Sequence, residues 1–186
     1  DGDLDIAYAL LLADRQWGSD GAIDYHAAAL LVIDAILAGE IHPANTILVG
    51  DWAGPEEAEY YGGTRSSDFM PGHAKAFAAA TGEPRWTAVV DRLYGIVAIL
   101  QADHAPATGL LPDFIVGAAT DAPSPAPPDW LEDDTDGQYA YNACRTPWRL
   151  GVDAVFADEA RARSAVRTIN AWVRGATSDQ PSRIRD

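Results

Sequence analysis

Apolar residues recur at helical spacing along most of the chain. Leu4, Ala7, Tyr8, Leu11 and Leu12 fall at i, i+3, i+4, i+7 and i+8 and predict a helix over 4–17. Asp1, Asp3 and Asp5 sit at its start, where unpaired N–H groups and the helix dipole favour anions, and Gly18 ends it. A second helix is expected after Asp20, over 22–38, with Gly39 as its stop. Pro71 opens another that runs to Ala80, before Gly82. Val89, Val90, Leu93, Ile96, Val97 and Leu100 line one face of a helix over 86–103, and helical spacing resumes over 139–156 and 159–174. Residues 46–52 suggest a short extended piece, 56–63 fit no period, and 108–114 form a connector. The proline-rich stretch 122–128 is a loop too short to link domains, and the polar tail 178–186 is expected to fray. The pattern predicts about six helices with almost no strand, an all-α fold built from helix hairpins. It contains no short repeat and does not separate a bundle from a solenoid or a toroid.

Composition narrows the function more than the fold. The chain has 186 residues, 48% of them hydrophobic, enough for one domain or part of a larger one. Thirteen Lys+Arg against 28 Asp+Glu give a net charge of −15. That balance excludes a nucleic-acid partner, which needs basic residues against its phosphates, and a polybasic membrane site. The longest apolar run, 27–33, is far too short to span a bilayer. The single cysteine, Cys144, excludes an internal disulfide and a thiolate zinc cluster, and is expected to be a small buried residue. His26, His42, His73 and His104 show no metal-ligand spacing, and neither a Gly-rich phosphate loop nor a Gly-x-Ser-x-Gly nucleophile motif is present. No metal and no cofactor is therefore expected. The chain begins without Met or a signal peptide and stops at 182–186 without a closing element, as expected of an internal piece of a longer protein. The missing leader then says nothing about export.

Two acidic clusters invite a chemical reading. At the chain start, a capping role explains one Asp but not three carboxylates crowded on one helix end. The second is Glu132-Asp133-Asp134-Thr135-Asp136, directly after the proline-rich loop. Most such runs are solvated loops. Aromatic residues surround it: Trp130, Tyr139, Tyr141 and Trp148, with Tyr60, Tyr61 and Phe69 elsewhere. Aromatic rings stack on the apolar faces of pyranose sugars while hydroxyls take polar partners. Trp17, Trp86 and Trp172 lie within helix patterns and are assigned to the core.

The stretch from Asp1-Gly2-Asp3-Leu4-Asp5-Ile6-Ala7 to Asp14-Arg15-Gln16-Trp17 resembles the signature of glycoside hydrolase family 8. Three further segments resemble that family in the same order. They are Ser67-Asp68-Phe69-Met70-Pro71-Gly72-His73, Gly109-Leu110-Leu111-Pro112-Asp113-Phe114 and Tyr141-Asn142-Ala143-Cys144-Arg145-Thr146-Pro147-Trp148-Arg149. The resemblance implies an (α/α)6 barrel (toroid) with an open sugar groove, of which this chain, 1–186, supplies about half. It implies inverting endo-hydrolysis of a β-1,4-linked polysaccharide by two carboxyl groups about 6.5–9.5 Å apart, one protonated and one ionised. The family's acid is a Glu upstream of this chain. Asp1 matches the carboxylate that holds the sugar in the subsite before the scissile bond, while Asp3 and Asp5 are expected to cap the helix or support the cleft.

The base needs more care. In the cellulase-like branch it is the Asp of a Tyr-Asp-Ala-x-Arg motif, and here that position is Asn142, whose neutral amide takes no proton from water. A second branch has this Asn and uses a Glu in a loop just upstream. Glu132 is accordingly the expected base, with Asp133, Asp134 and Asp136 as competitors. Asp68, Asp113, Trp130, Tyr141, Asn142, Arg145 and Trp148 are the expected substrate-binding residues, Arg145 through a bond to a cleft carboxylate such as Asp1, and His73 supports the cleft. The Asn branch implies chitosan or mixed-linkage β-glucan as substrate, and an acidic chain suits a polycation. A cellulose-type endoglucanase, a non-catalytic carbohydrate-binding α-toroid, and an unrelated epimerase or lyase toroid remain alternatives. The expected partner is a polysaccharide, met by a secreted protein that is monomeric when complete. Half a barrel leaves helix faces uncovered, so the isolated chain is expected to be poorly soluble.

Overall fold

A computed structural model describes residues 2–184. It contains six α-helices: α1 (Gly2–Trp17), α2 (Tyr25–Gly39), α3 (Pro71–Thr81), α4 (Arg85–Ile99), α5 (Thr146–Phe156) and α6 (Ala160–Thr177). They associate as consecutive pairs, α1 with α2, α3 with α4 and α5 with α6, and α3 joins the pairs by packing against α1 and α5. Three very short strands, β1 (Thr64–Arg65), β2 (Phe114–Val116) and β3 (Ser124–Pro125), form one antiparallel sheet in the order β1-β2-β3.

The ends of the elements follow local chemistry. Asp24, not Asp20, caps α2, its Oδ1 accepting from Ala27 N at 2.8 Å. Gly82, at φ 71°, closes α3 in the left-handed conformation that a β-carbon disfavours. Beyond α2, the Arg85 guanidinium donates to the carbonyls of Leu37, Ile41 and His42 and to Asn45 Oδ1. These bonds satisfy acceptors at a helix C-terminus and fix α4 beside it. The helix expected from residue 139 starts later: Tyr141–Arg145 is a 3₁₀ turn, and α5 proper begins at Thr146 with Pro147 in its first turn. Helix α4 continues past Ile99 as a π-turn, Leu100–His104, and the proline-rich loop contributes strand β3.

The core is nearly all helix. Val89, Val90, Leu93, Ile96, Val97 and Leu100, the face predicted for α4, are all buried. They meet Leu4 and Ala7 of α1, Ala29, Ile33 and Ile36 of α2, Phe77 of α3, Leu150 of α5 and Ala162, Ala165 and Ile169 of α6. Trp86 is buried as expected, but Trp17 and Trp172 are exposed, at 72% and 40%; the Tyr25 ring, 5.9 Å from Trp17, leaves most of that indole uncovered. Cys144 is likewise exposed, since the 3₁₀ turn directs it away from buried Ala143. On α5, Trp148, Val152, Val155 and Phe156 form an exposed apolar stripe opposite the buried Thr146, Arg149, Leu150 and Asp153. Among the described residues no helix is long and apolar enough to cross a membrane.

Candidate active site

The site is built on the small sheet, whose strand β2 contributes Ile115 to the helical core. Arg65 on β1 stands opposite Phe114 on β2. The residue before Phe114, Asp113, ties its neighbours together through the main chain. Its carbonyl accepts from Ser66 N at 2.9 Å, and its N–H donates to Gln138 O at 2.8 Å. Phe114 N donates to Asp136 O, also at 2.8 Å. The acidic loop is thereby fastened along β2, beside the strand that carries Arg65.

The loop also holds its own shape. Asp136 is 2% exposed and its carboxylate accepts three backbone N–H groups: Leu131 at 2.7 Å, Glu132 at 3.0 Å and Asp133 at 3.1 Å. Asp133 accepts from the N–H and hydroxyl of Thr135, bonds that lower its pKa. Trp130, just before the acidic run, packs into a second small core with Phe114 and Ala126. Its ring lies 5.6 Å from Phe114 and 5.2 Å from Tyr60, which continues to Trp52 at 5.3 Å. Gly63 lies flush against that ring: a β-carbon there would meet Trp130 Cη2 at 2.3 Å.

At the centre, Arg65 joins two carboxylates. Its Nε and Nη2 donate to Asp113 Oδ1 and Oδ2, both at 2.9 Å, and Nη2 also donates to Glu132 Oε2 at 2.7 Å. The guanidinium lies 4.2 Å from the Phe114 ring centroid. Burial works against the Arg65 charge, but its bonds to the two carboxylates win and raise its pKa further, so the cation is permanent. Asp113 is 6% exposed and Glu132 44% exposed at the side chain. The described residues engage only Oε2 of Glu132; its other oxygen is available to water.

A second polar group links α1 to α3 and α5. Arg149 donates to both Asp5 oxygens, at 3.0 and 2.8 Å, and His73 Nε2 lies 2.9 Å from Asp5 Oδ1. The Arg149 bonds hold the Asp5 carboxyl below the usual carboxylate range, against partial desolvation. Burial lowers the pKa of His73, with Asp5 opposing, and its ring stacks on Tyr8 at 4.1 Å. Nearby, Arg145 Nη2 donates to Ser67 Oγ at 3.2 Å, and Ser67 donates to Asp68 at 3.1 Å. Asp68 is 6% exposed, and burial raises its pKa.

These positions refine the expectations from sequence. Asp136, expected as a competitor for the base, spends its carboxylate on three backbone N–H groups of the loop. Trp130 is 6% exposed and serves as the loop's anchor; both neighbouring rings cover it, so it offers no open face to a sugar. Asp113 is buried with both oxygens on Arg65, so it acts on the site through that cation. Tyr141 and Trp148 are exposed, at 79% and 57%, and Arg149 lies over the Trp148 ring at 4.3 Å. Asn142 is half-buried in the 3₁₀ turn before α5. The Asp5 carboxylate is taken up by Arg149 and His73. Asp1 lies outside the described residues. Arg65 is the residue that sequence reasoning missed: a lone cation between small polar residues, in a strongly acidic chain, just before the Ser67-Asp68 segment. Among the described residues, no cluster of His, Cys, Asp or Glu could hold a metal ion.

A small sheet that presents carboxylates beside a layer of paired helices matches a known architecture. The family model described as Glycosyl hydrolases family 8 matches residues 1–182, and the chain belongs to that family. Its fold is about half of an (α/α)6 barrel. Among curated relatives, the "Beta-glucanase" of Niallia circulans is 44% identical over all of this chain and 45% of its own length. The "Endoglucanase" of Bacillus sp. strain KSM-330 is 38% identical over all of this chain and 39% of its own length. Among solved structures, the apo β-1,3-1,4-glucanase from Paenibacillus sp. X4 superposes with a TM-score of 0.95. It is 44% identical, with all of this chain and 49% of that one covered. A cold-adapted family 8 xylanase, 19% identical, shares the fold at a TM-score of 0.74, over 97% of this chain and 44% of its own. The chain thus spans about half the length of the relatives it matches.

Proposed function

We propose that the complete protein is an inverting, endo-acting glycosidase that cleaves β-linked glucan, with mixed-linkage β-1,3-1,4-glucan as its favoured substrate. The observation that carries this reading is the placement of Glu132. It is a half-exposed carboxylate on a loop that its own hydrogen bonds fix, ten residues before Asn142, whose amide cannot act as a base. In this reading Glu132 removes a proton from water as that water attacks the anomeric carbon from the face opposite the leaving group. A carboxylic acid elsewhere in the complete protein protonates the leaving oxygen. Asp1 steadies the sugar before the scissile bond, and Asp68, Arg145 and Asn142 form the polar wall beside it. Tyr141 and Trp148 offer the exposed aromatic faces on which sugar rings stack.

The substrate follows from the two relatives at 44% identity, a β-glucanase and a β-1,3-1,4-glucanase by name. Chitosan is the second candidate, because a net charge of −15 attracts a polycation. A polysaccharide does not cross a membrane, so the enzyme is placed outside the cell, as a secreted monomer without nucleic-acid or membrane partners. The test is the release of new reducing ends by the complete coding sequence on barley β-glucan, chitosan and carboxymethyl-cellulose, for wild type and Glu132→Gln side by side. Cleavage of barley β-glucan that the substitution abolishes is the expected result. Cleavage that survives it puts the base at Asp133 or Asp134.

A further inference from the structure

We propose that Arg65 is the positioning residue of the catalytic base: anchored by Asp113 and Phe114, it aims the Glu132 carboxylate. The proposal rests on the reading of Glu132 as the base. It also assigns a role to a residue outside the four sequence segments that carry the family resemblance.

Three features of the geometry carry it. First, the guanidinium is fixed before it meets Glu132. Two parallel bonds to Asp113 and the Phe114 ring under its plane leave it no rotational freedom, and its side chain is only 15% exposed. Second, Glu132 needs such a guide. Its backbone is held by Asp136, but its side chain is long and 44% exposed, and Arg65 is its one side-chain partner among the described residues. Third, the bond is one-sided. Nη2 takes Oε2, so Oε1 is presented for water, whereas a guanidinium meeting Glu132 through both nitrogens would occupy both oxygens.

Asp113 completes the device. Its carboxylate takes both Nε and Nη2 of Arg65, which holds the guanidinium in one orientation where it meets Glu132. Phe114 blocks the face of the guanidinium from water, which keeps the bonds to both carboxylates in a partly dry environment.

The complete coding sequence is the system for the test, with Glu132→Gln, Arg65→Ala, Arg65→Lys and Phe114→Leu assayed on barley β-glucan. A misaimed base reduces turnover without touching the sugar, so Arg65→Ala is expected to lower kcat about 10–10²-fold with KM within about twofold. Arg65→Lys is expected to fall between Ala and wild type, because an ammonium replaces the charge but not the fork. Phe114→Leu keeps the cation and is expected to lower kcat by less than Arg65→Ala. Added guanidinium ion is expected to restore part of the Arg65→Ala turnover, which a merely structural role would not allow. If Glu132→Gln is inactive while Arg65→Ala keeps wild-type kcat, the proposal is overturned and the base reading stands. If Arg65→Ala raises KM at unchanged kcat, Arg65 binds sugar instead and the proposal is again overturned. If Glu132→Gln remains active, the base reading fails and the proposal fails with it. Should Arg65→Ala not fold, Arg65→Lys and Phe114→Leu decide: wild-type kcat in both overturns the proposal.

Discussion

Among the described residues, Lys75 and Arg65 each lie between two carboxylates with an aromatic side chain at hand. In the helical layer, Lys75 Nζ lies 2.9 and 2.7 Å from the Asp153 oxygens and 3.1 Å from Glu159 Oε2. Tyr94 donates its hydroxyl to Asp153 at 2.5 Å, and Arg161 donates to both oxygens of Glu159. On the sheet, Arg65 spans Asp113 and Glu132. The first group is saturated: Asp153 is 0% exposed, every carboxylate oxygen has a donor, and the result is a rivet between α3, α4, α5 and α6. The second stops one bond short, and the oxygen left over belongs to the exposed member. Similar sets of groups, a cation with an Asp, a Glu and a ring, thus form a closed rivet in one place and leave a carboxylate oxygen open in the other. What differs is how many lone pairs the protein itself consumes.

Substitutions can break this comparison at either end. The largest effect is expected from Glu132→Gln, which should lower turnover about 10²–10⁴-fold while melting temperature and substrate binding stay near wild type. A matching loss of thermal stability would make Glu132 a structural residue like Asp153. Next, Asp153→Ala should destabilise the fold by about 3–5 kcal/mol, because it leaves Lys75 without its buried partner. Denaturant unfolding of the complete protein measures this, and activity per folded molecule should be unchanged. Asp136→Ala falls between the two regions. It strands three loop N–H groups at about 1–3 kcal/mol of desolvation, and should lower kcat by loosening the loop more than it lowers the melting temperature. Unchanged kcat would show that the sheet bonds alone order the loop.

The smallest effect sharpens the electrostatic side. Bonds from Arg161, reinforced by Lys75, bring the Glu159 pKa down from 4.5 to about 2. A group with a depressed folded pKa stabilises the fold above its unfolded value and loses that contribution as pH falls through the folded one. The stability difference between wild type and Glu159→Gln should therefore be full above about pH 4.5 and shrink towards pH 2. A difference that stays constant through acid denaturation would show that the ion pairs contribute little.

The helical layer was legible because its evidence is local. The α4 face recurs at fixed spacing, and each of its predicted residues is buried. Boundaries were less legible where two signals competed. Apolar spacing extended the α5 helix back to residue 139, whereas Pro147 marked the true first turn. Trp17 and Trp172 follow helical spacing yet stay exposed, since periodicity identifies a face but not whether anything covers it. At the site, the acidic run was visible but its division of labour was not. Asp136 and Glu132 are neighbours of the same charge, and only the folded loop shows that one consumes its lone pairs on backbone N–H groups. Arg65 was the least legible, being 67 residues from Glu132 and 48 from Asp113. Nothing in local pattern links residues that meet only through strand pairing.

The tight contacts that fasten the loop bear on how natural and laboratory variation at this site should be interpreted. A β-carbon on Gly137 would lie 2.0 Å from the Ala126 carbonyl oxygen, and one on Gly63 would lie 2.3 Å from the Trp130 ring. Neither glycine carries any chemistry, yet both should reject replacement as firmly as Glu132 does. A saturation scan scored only by survival would rank all three together and mistake fit for reactivity. The side-chain size series separates them. At the two glycines a single methyl group should already do the damage, while at Glu132 an isosteric amide of unchanged volume is expected to remove the activity.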